Sequence, residues 1–194
     1  MRLHYEYNPF RYRWSTLADF VGAFTQQAKE MGFLKETIST EEQLNWDGFG
    51  LTQKQMNSVW DVILGTKGWW YQLDHLISKA SFRQIQDLTY DHHVVFVSAR
   101  EGISPQRETV EWLAINGVDT PSVIITKRKG EIARALDADY SLEDKPENAA
   151  VIHWMADVKP CKSYIIDRPY NRVDYLPKKI KRVKTVEEFL NDIE

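Results

Sequence analysis

The chain has 194 residues, 43% of them hydrophobic, and a formal net charge of -3. That length and apolar content predict one ordinary globular domain and exclude wholesale disorder. The charge balance excludes a uniformly basic nucleic-acid binder, so nucleic acid is not the expected partner. Cys161 is the single cysteine, which rules out a disulfide framework or a cysteine-based zinc site and suits a reducing compartment. No stretch approaches the roughly 20 apolar residues of a membrane helix. The opening Met1-Arg2-Leu3-His4-Tyr5-Glu6 lacks the apolar core of a signal peptide. The expectation is a soluble cytoplasmic protein with no membrane contact.

Residues 2–7 alternate, with Leu3, Tyr5 and Tyr7 on one face, and predict a short strand closed by Asn8-Pro9. Over 15–31, Leu17, Phe20, Val21, Phe24 and Ala28 recur at helical spacing, with Ser15 or Thr16 as cap and Gly32 as stop. Residues 36–66 predict further short helices, the second capped by Thr52 and carrying Met56, Val59, Trp60 and Ile63. Gly65 and Gly68 frame a break before Trp69-Trp70-Tyr71, and a helix over 76–88 leads into the apolar run Val94-Val95-Phe96-Val97.

From there strands and helices alternate. Ser104-Pro105 opens a helix with Val110, Leu113 and Ala114 inward and Gly117 at its end. The run Val123-Ile124-Ile125-Thr126 precedes a short helix over 129–136, and a helix over 146–155 precedes the strand Ser163-Tyr164-Ile165-Ile166. Thr185-Val186-Glu187-Glu188 forms a capping box for a last helix with Phe189, Leu190 and Ile193 inward. This rhythm predicts an α/β fold built from βαβ units around a mainly parallel sheet. The runs at 94–97, 123–125 and 163–166 are expected to be neighbours in it. Residues 16–70 break the rhythm with helices only, so they read as a helical cap inserted after the first strand. Residues 1–15 and 71–194 then make the α/β core of one domain.

Three strand-like runs end in polar clusters: Ser98-Ala99-Arg100, Lys127-Arg128-Lys129-Gly130-Glu131, and Glu143-Asp144-Lys145-Pro146-Glu147-Asn148. Ligands of open parallel sheets sit outside the carboxyl ends of the strands. There the Ser98 hydroxyl suits a phosphate oxygen, and the Lys129 ammonium beside a helix start suits its charge. The carboxylates of Glu143 and Asp144, with a nearby oxygen, suit Mg²⁺. Taken singly, each has a plainer reading: a strand-end serine, a solvated lysine, a turn cluster. Their order on consecutive strand ends favours the joint reading. His92-His93 precedes its strand at the amino end and reads as surface. The basic run Lys178-Lys179-Ile180-Lys181-Arg182-Val183-Lys184 reads as a solvated edge, and Cys161 as structural.

On these residues the chain resembles the haloacid-dehalogenase-like superfamily, and within it the 5'(3')-deoxyribonucleotidase type. Val94-Val95-Phe96-Val97-Ser98 resembles the family's second motif and Lys129 its third. Glu143-Asp144 with Asn148 resembles the fourth, and Tyr164 through Arg172 the final strand and loop. Leu17-Ala18-Asp19-Phe20 and Gly68-Trp69-Trp70 resemble the first helix and the aromatic cap segment. The resemblance implies a Rossmannoid three-layer sandwich that binds a nucleoside monophosphate or similar phosphomonoester. It implies Ser98, Arg100 and Lys129 on the phosphate, and Mg²⁺ at Glu143, Asp144 and Asn148. Trp69 and Trp70 would then stack on the base, against the equally weighted alternative of cap-to-core packing.

The family's first motif, Asp-x-Asp, supplies a nucleophile and then a general acid/base. The first strand here offers Glu6 and Asn8 instead, or Tyr12 and Trp14 when aligned back from Leu17. Asp47-Gly48 resembles the motif only superficially, since no apolar strand precedes it. A longer side chain displaces the attacking oxygen by about an ångström, a shift that can cost about 100-fold. Asn8 cannot exchange the proton, a role worth about 10²–10⁴-fold. The expectation is therefore ligand recognition with hydrolysis impaired. Two alternatives stay open: an active nucleotidase using Glu6, and a catalytically inactive interaction or scaffold protein.

Overall fold

The computed structural model describes residues 16–38, 49–155 and 161–193. The strand expected over 2–7, with Glu6 and Asn8, and the alternatives Tyr12, Trp14 and Asp47-Gly48 lie outside the described residues.

Helix α1 spans Phe20–Glu30. Its cap is Asp19, whose Oδ1 accepts from the Gly22 N–H at 2.8 Å, rather than Ser15 or Thr16. The start is later because residues just before it are held in extended form. Ala18 bridges His75, and the Asp19 and Leu76 N–H groups donate to Asp74 and Leu17 carbonyls at 2.8 Å. Helix α2, Gln53–Gly65, begins with a full capping box between Thr52 and Gln55. Gly68 comes next at φ 85°, a left-handed conformation that a side chain would disfavour, and starts a 3₁₀ turn over Trp69–Gln72. Helix α3, Lys79–Asp91, is capped by Ser78 and leads into strand β1, Val95–Ser98.

The alternation then runs α4 (Pro105–Ile115), β2 (Ser122–Ile125), α5 (Lys129–Ala135), β3 (Tyr140–Glu143), α6 (Pro146–Met155) and β4 (Lys162–Ile166). It ends with β5 (Lys181–Val183) and α7 (Val186–Leu190), the latter capped by Thr185 as its sequence requires. Strand β5 falls inside the basic run read as a solvated edge. Of its three residues only Val183 is buried, so the strand is set by its pairing with β4 rather than by an apolar alternation.

The strands form a parallel pair β1-β2 and a parallel three-strand sheet β3-β4-β5. The runs at 94–97 and 123–125 are neighbours as expected, but the run at 163–166 is not. It pairs with β3 and β5, because each strand takes its partner from the adjacent βα unit. Among the described residues nothing pairs β1 with β3. Both instead line, along their full lengths, a cavity of about 450 Å³. Its apolar walls include Ile85, Leu88, Ile132, Leu136, Leu190 and Ile193.

One buried cluster joins the early helices to the strand-bearing part. It contains Phe20, Phe24, Val59, Ile63, Trp69 and Trp70 together with Phe82, Trp112, Leu113, Ile166 and Leu190. At its centre the Phe20 ring is fully buried, 5.5 Å from the Trp60 centroid and 5.9 Å from that of Trp70. Truncating a buried phenylalanine costs about 3–5 kcal/mol. Phe20→Ala should therefore lower the midpoint of a single unfolding transition seen alike by circular dichroism and tryptophan fluorescence. Two separated transitions would contradict a shared core.

Candidate functional site

Parallel pairing fixes where strand β1 ends. Ser98 sits opposite Ile125, and the Thr126 N–H closes the pair on the Ser98 carbonyl at 2.6 Å. Ser98 is buried, and its hydroxyl accepts a long bond of 3.4 Å from the Arg100 N–H. The chain then carries Arg100 inward, where only 7% of it is exposed. Its Nη1 donates to Thr109 Oγ1 at 3.0 Å, and its guanidinium carbon lies 5.0 Å from the Trp70 ring centroid and 5.9 Å from that of Trp112. Such stacking is worth about 0.5–2 kcal/mol. Its Nε has no hydrogen-bond partner among the described residues.

The carboxylate acting on Arg100 electrostatically is Glu108, but its oxygens are committed elsewhere. They accept from the Gly68 and Trp70 N–H groups at 2.9 and 3.1 Å and so pin the 69–72 turn to α4. Burial consequently lowers the Arg100 guanidinium to about 10, with Glu108 pulling the other way.

Lys129 opens α5 and is also buried. Its Nζ reaches Glu143 Oε1, at the end of β3, at 2.6 Å. Asn148 Nδ2 donates to the other oxygen at 3.2 Å. Burial raises the Glu143 carboxyl, against the opposing pull of the Lys129 ammonium. Gly130 makes the placement possible: a Cβ there would come within 2.6 Å of Val151 Cγ1 and 2.8 Å of Met155 Sδ. Helix α5 thus lies tight against α6. Asp144, 2% exposed, accepts from the Tyr170 hydroxyl at 2.8 Å and from the Thr16 hydroxyl at 3.4 Å.

Ser98, Arg100, Lys129 and Glu143 line the same cavity, with Thr16 and Thr109. Residues from three separate strand ends therefore line one cavity. Asp144 joins them through Thr16, and Asn148 through Glu143. Trp69 and Trp70 do not line the cavity. Each is 2% exposed, their rings meet edge to face at 5.0 Å, and their indole N–H groups donate to Gln27 and to the Glu101 carbonyl. The base-stacking role expected for them gives way to packing, since Phe20, Arg100 and each other occupy their faces. His92 and His93 are exposed and precede β1, as read from the sequence.

Glu108 and Thr109 were not singled out in the sequence, and Tyr170 and Asn171 entered only within the run from Tyr164 through Arg172. Glu108 and Thr109 look like ordinary helix residues, because their partners come from the 68–70 turn and from Arg100. Tyr170 and Asn171 had one signal, their place in the polar run after an apolar strand. Among the described residues no group of three or more His, Cys, Asp and Glu side chains gathers to hold a metal. Nor is any described helix long and apolar enough to cross a membrane. No protein-family model matches the chain, and no curated protein matches it.

A buried charge held without a carboxylate contact is a burden to the fold, and apolar replacements of buried ionic groups are often neutral or stabilising by about 1–4 kcal/mol. Arg100→Met should leave the thermal midpoint unchanged or raise it. A large fall in the midpoint would mean that Arg100 is chiefly structural.

Proposed function

We propose that the protein binds a phosphomonoester, of the nucleoside monophosphate class, in the cavity where Ser98, Arg100 and Lys129 line it. The observation that carries the reading is the buried Arg100 guanidinium, whose Nε has no partner among the described residues. Buried charge is retained where something anionic meets it, and a guanidinium edge matches phosphate oxygens through paired N–H donors. Ser141, whose buried hydroxyl likewise has no partner among the described residues, lines the same cavity. The resemblance to haloacid-dehalogenase-like nucleotidases points to the same ligand and to a three-layer fold.

That resemblance also brings Mg²⁺. Glu143, Asp144 and Asn148 offer hard oxygen donors, and two carboxylates suffice where substrate phosphate and water complete the shell. At Asp144 the carboxylate accepts from the Tyr170 and Thr16 hydroxyls. A bound Mg²⁺ supplies neutralisation of phosphate-oxygen charge. The chain's own residues do the rest. Arg100 orients the phosphate, Ser98 donates to it, and Glu143 holds the Lys129 ammonium in place.

Hydrolysis is slow on this reading. Neither Glu6 with Asn8 nor Tyr12 with Trp14 supplies a short carboxylate nucleophile and a proton donor, and equal binding of ground and transition states does not speed turnover. A panel of deoxynucleoside monophosphates should raise the thermal midpoint of the full chain, while the matching nucleosides should not. The Arg100→Met variant should lose that response, and phosphate release should stay near background. Equal stabilisation by nucleosides would sink the phosphate site. Robust turnover abolished by Glu6→Gln would favour an active nucleotidase.

A further inference from the structure

We propose that Ser141 is a specificity-determining residue of the cavity, its hydroxyl sharing a hydrogen bond with a hydroxyl that the ligand carries beside its phosphate. The ligand class is then a sugar phosphate rather than a plain alkyl or aryl phosphate. This rests on the phosphomonoester reading above. Two buried polar atoms of cavity-lining residues have no hydrogen-bond partner among the described residues, Arg100 Nε and Ser141 Oγ. Buried polar groups are as a rule hydrogen-bonded, so each of these calls for a partner. A guanidinium edge suits the phosphate. A neutral hydroxyl both donates and accepts, and a second neutral hydroxyl answers both demands.

Strand geometry sets where this hydroxyl lies. Side chains alternate along a strand, so Ser141 and Glu143 share one face of β3. Their register partners on β4 are Ser163 and Ile165. Ile165 is fully buried in a cluster with Ala149 of α6, so that face is the one α6 covers. The Ser163 hydroxyl donates to the Cys161 carbonyl at 3.4 Å and so does not serve Ser141. Ser141 lies roughly 6.6 Å along the strand from Glu143 and its ion pair with Lys129. Helix α5 runs back over the same depth. One turn, about 5.4 Å, carries it from Lys129 to Ile132 and Ala133, which also line the cavity. Below the ion pair the cavity therefore offers an apolar wall from α5 and a hydroxyl from β3. A sugar ring matches that pair, with C–H groups on its face and hydroxyls at its edge. Ser141 as a whole is half-buried, and a step between staggered χ1 wells turns its hydroxyl to the ligand.

The test is a calorimetric titration of the full chain with three ligands. They are inorganic phosphate, a deoxynucleoside 5'-monophosphate, and the matching 2',3'-dideoxynucleoside 5'-monophosphate, which has no sugar hydroxyl. The native chain should bind the deoxy form about 2–10-fold more tightly than the dideoxy form, the worth of one hydrogen bond. Ser141→Ala should erase that difference by weakening the deoxy form alone, with phosphate and the dideoxy form bound as before. Its ligand-free thermal midpoint should hold or rise, because the lost hydroxyl had no partner among the described residues. Equal native affinity for the deoxy and dideoxy forms would overturn the role of Ser141 and leave the anion site standing. So would a deoxy preference that survives in Ser141→Ala. A fall in the ligand-free midpoint together with loss of all three ligands would show a structural residue and overturn the role as well. A native chain that binds none of the three would overturn the phosphomonoester reading, and this role with it.

Discussion

Parallel pairing within each sheet carries the turns at the strands' carboxyl ends to one edge of that sheet, and the rest of this molecule depends on that constraint. Ser98 closes β1, and Glu143 with Asp144 closes β3. Lys129 comes from the turn after β2, and Tyr170 and Asn171 from the turn after β4. No two of these groups need be near in sequence to meet. The helices act as spacers of fixed length. Gly130 lets α5 sit close to α6, and the Glu108 carboxylate pins the 69–72 turn to α4.

The edges so assembled hold an imbalance. Lys129 and Glu143 match one another, and both polar atoms of the Asn171 side chain have partners. Arg100 is different: buried, flanked by two indoles, bonded to one threonine, with Nε unpartnered among the described residues. Removing a charge from water costs several kcal/mol, and stacking on aromatic rings returns only part of it. Local rules are broken mainly where function needs the break. Here that principle favours an anion in the cavity beside Arg100 over a purely structural arginine.

Much of this arrangement was legible in the sequence because it depends on local chemistry. Thr52 and Thr185 cap helices by the spacing of their hydroxyls to nearby N–H groups, and Pro105 starts α4. Apolar runs located most strands to within a residue or two. Ser98, Lys129 and Glu143 could be read as strand-end residues, though not that their strands belong to two sheets. What escaped the sequence depends on distant partners. Asp19 caps α1 because the preceding residues are bonded to 74–76. Strand β5 hides among lysines, since a short strand needs only one buried side chain to hold its register. Trp69 and Trp70 carry the same composition whether they face a ligand or a core, and only the burial of Phe20 beside them decides it.

The proposed anion site stands or falls on what meets Arg100. A crystal structure of the full chain grown with inorganic phosphate at low salt measures that directly. A phosphate bonded to Arg100 Nε is expected, with the Ser98 hydroxyl and Lys129 ammonium completing its shell. A cavity filled only by water, with phosphate bound elsewhere or nowhere, would contradict it.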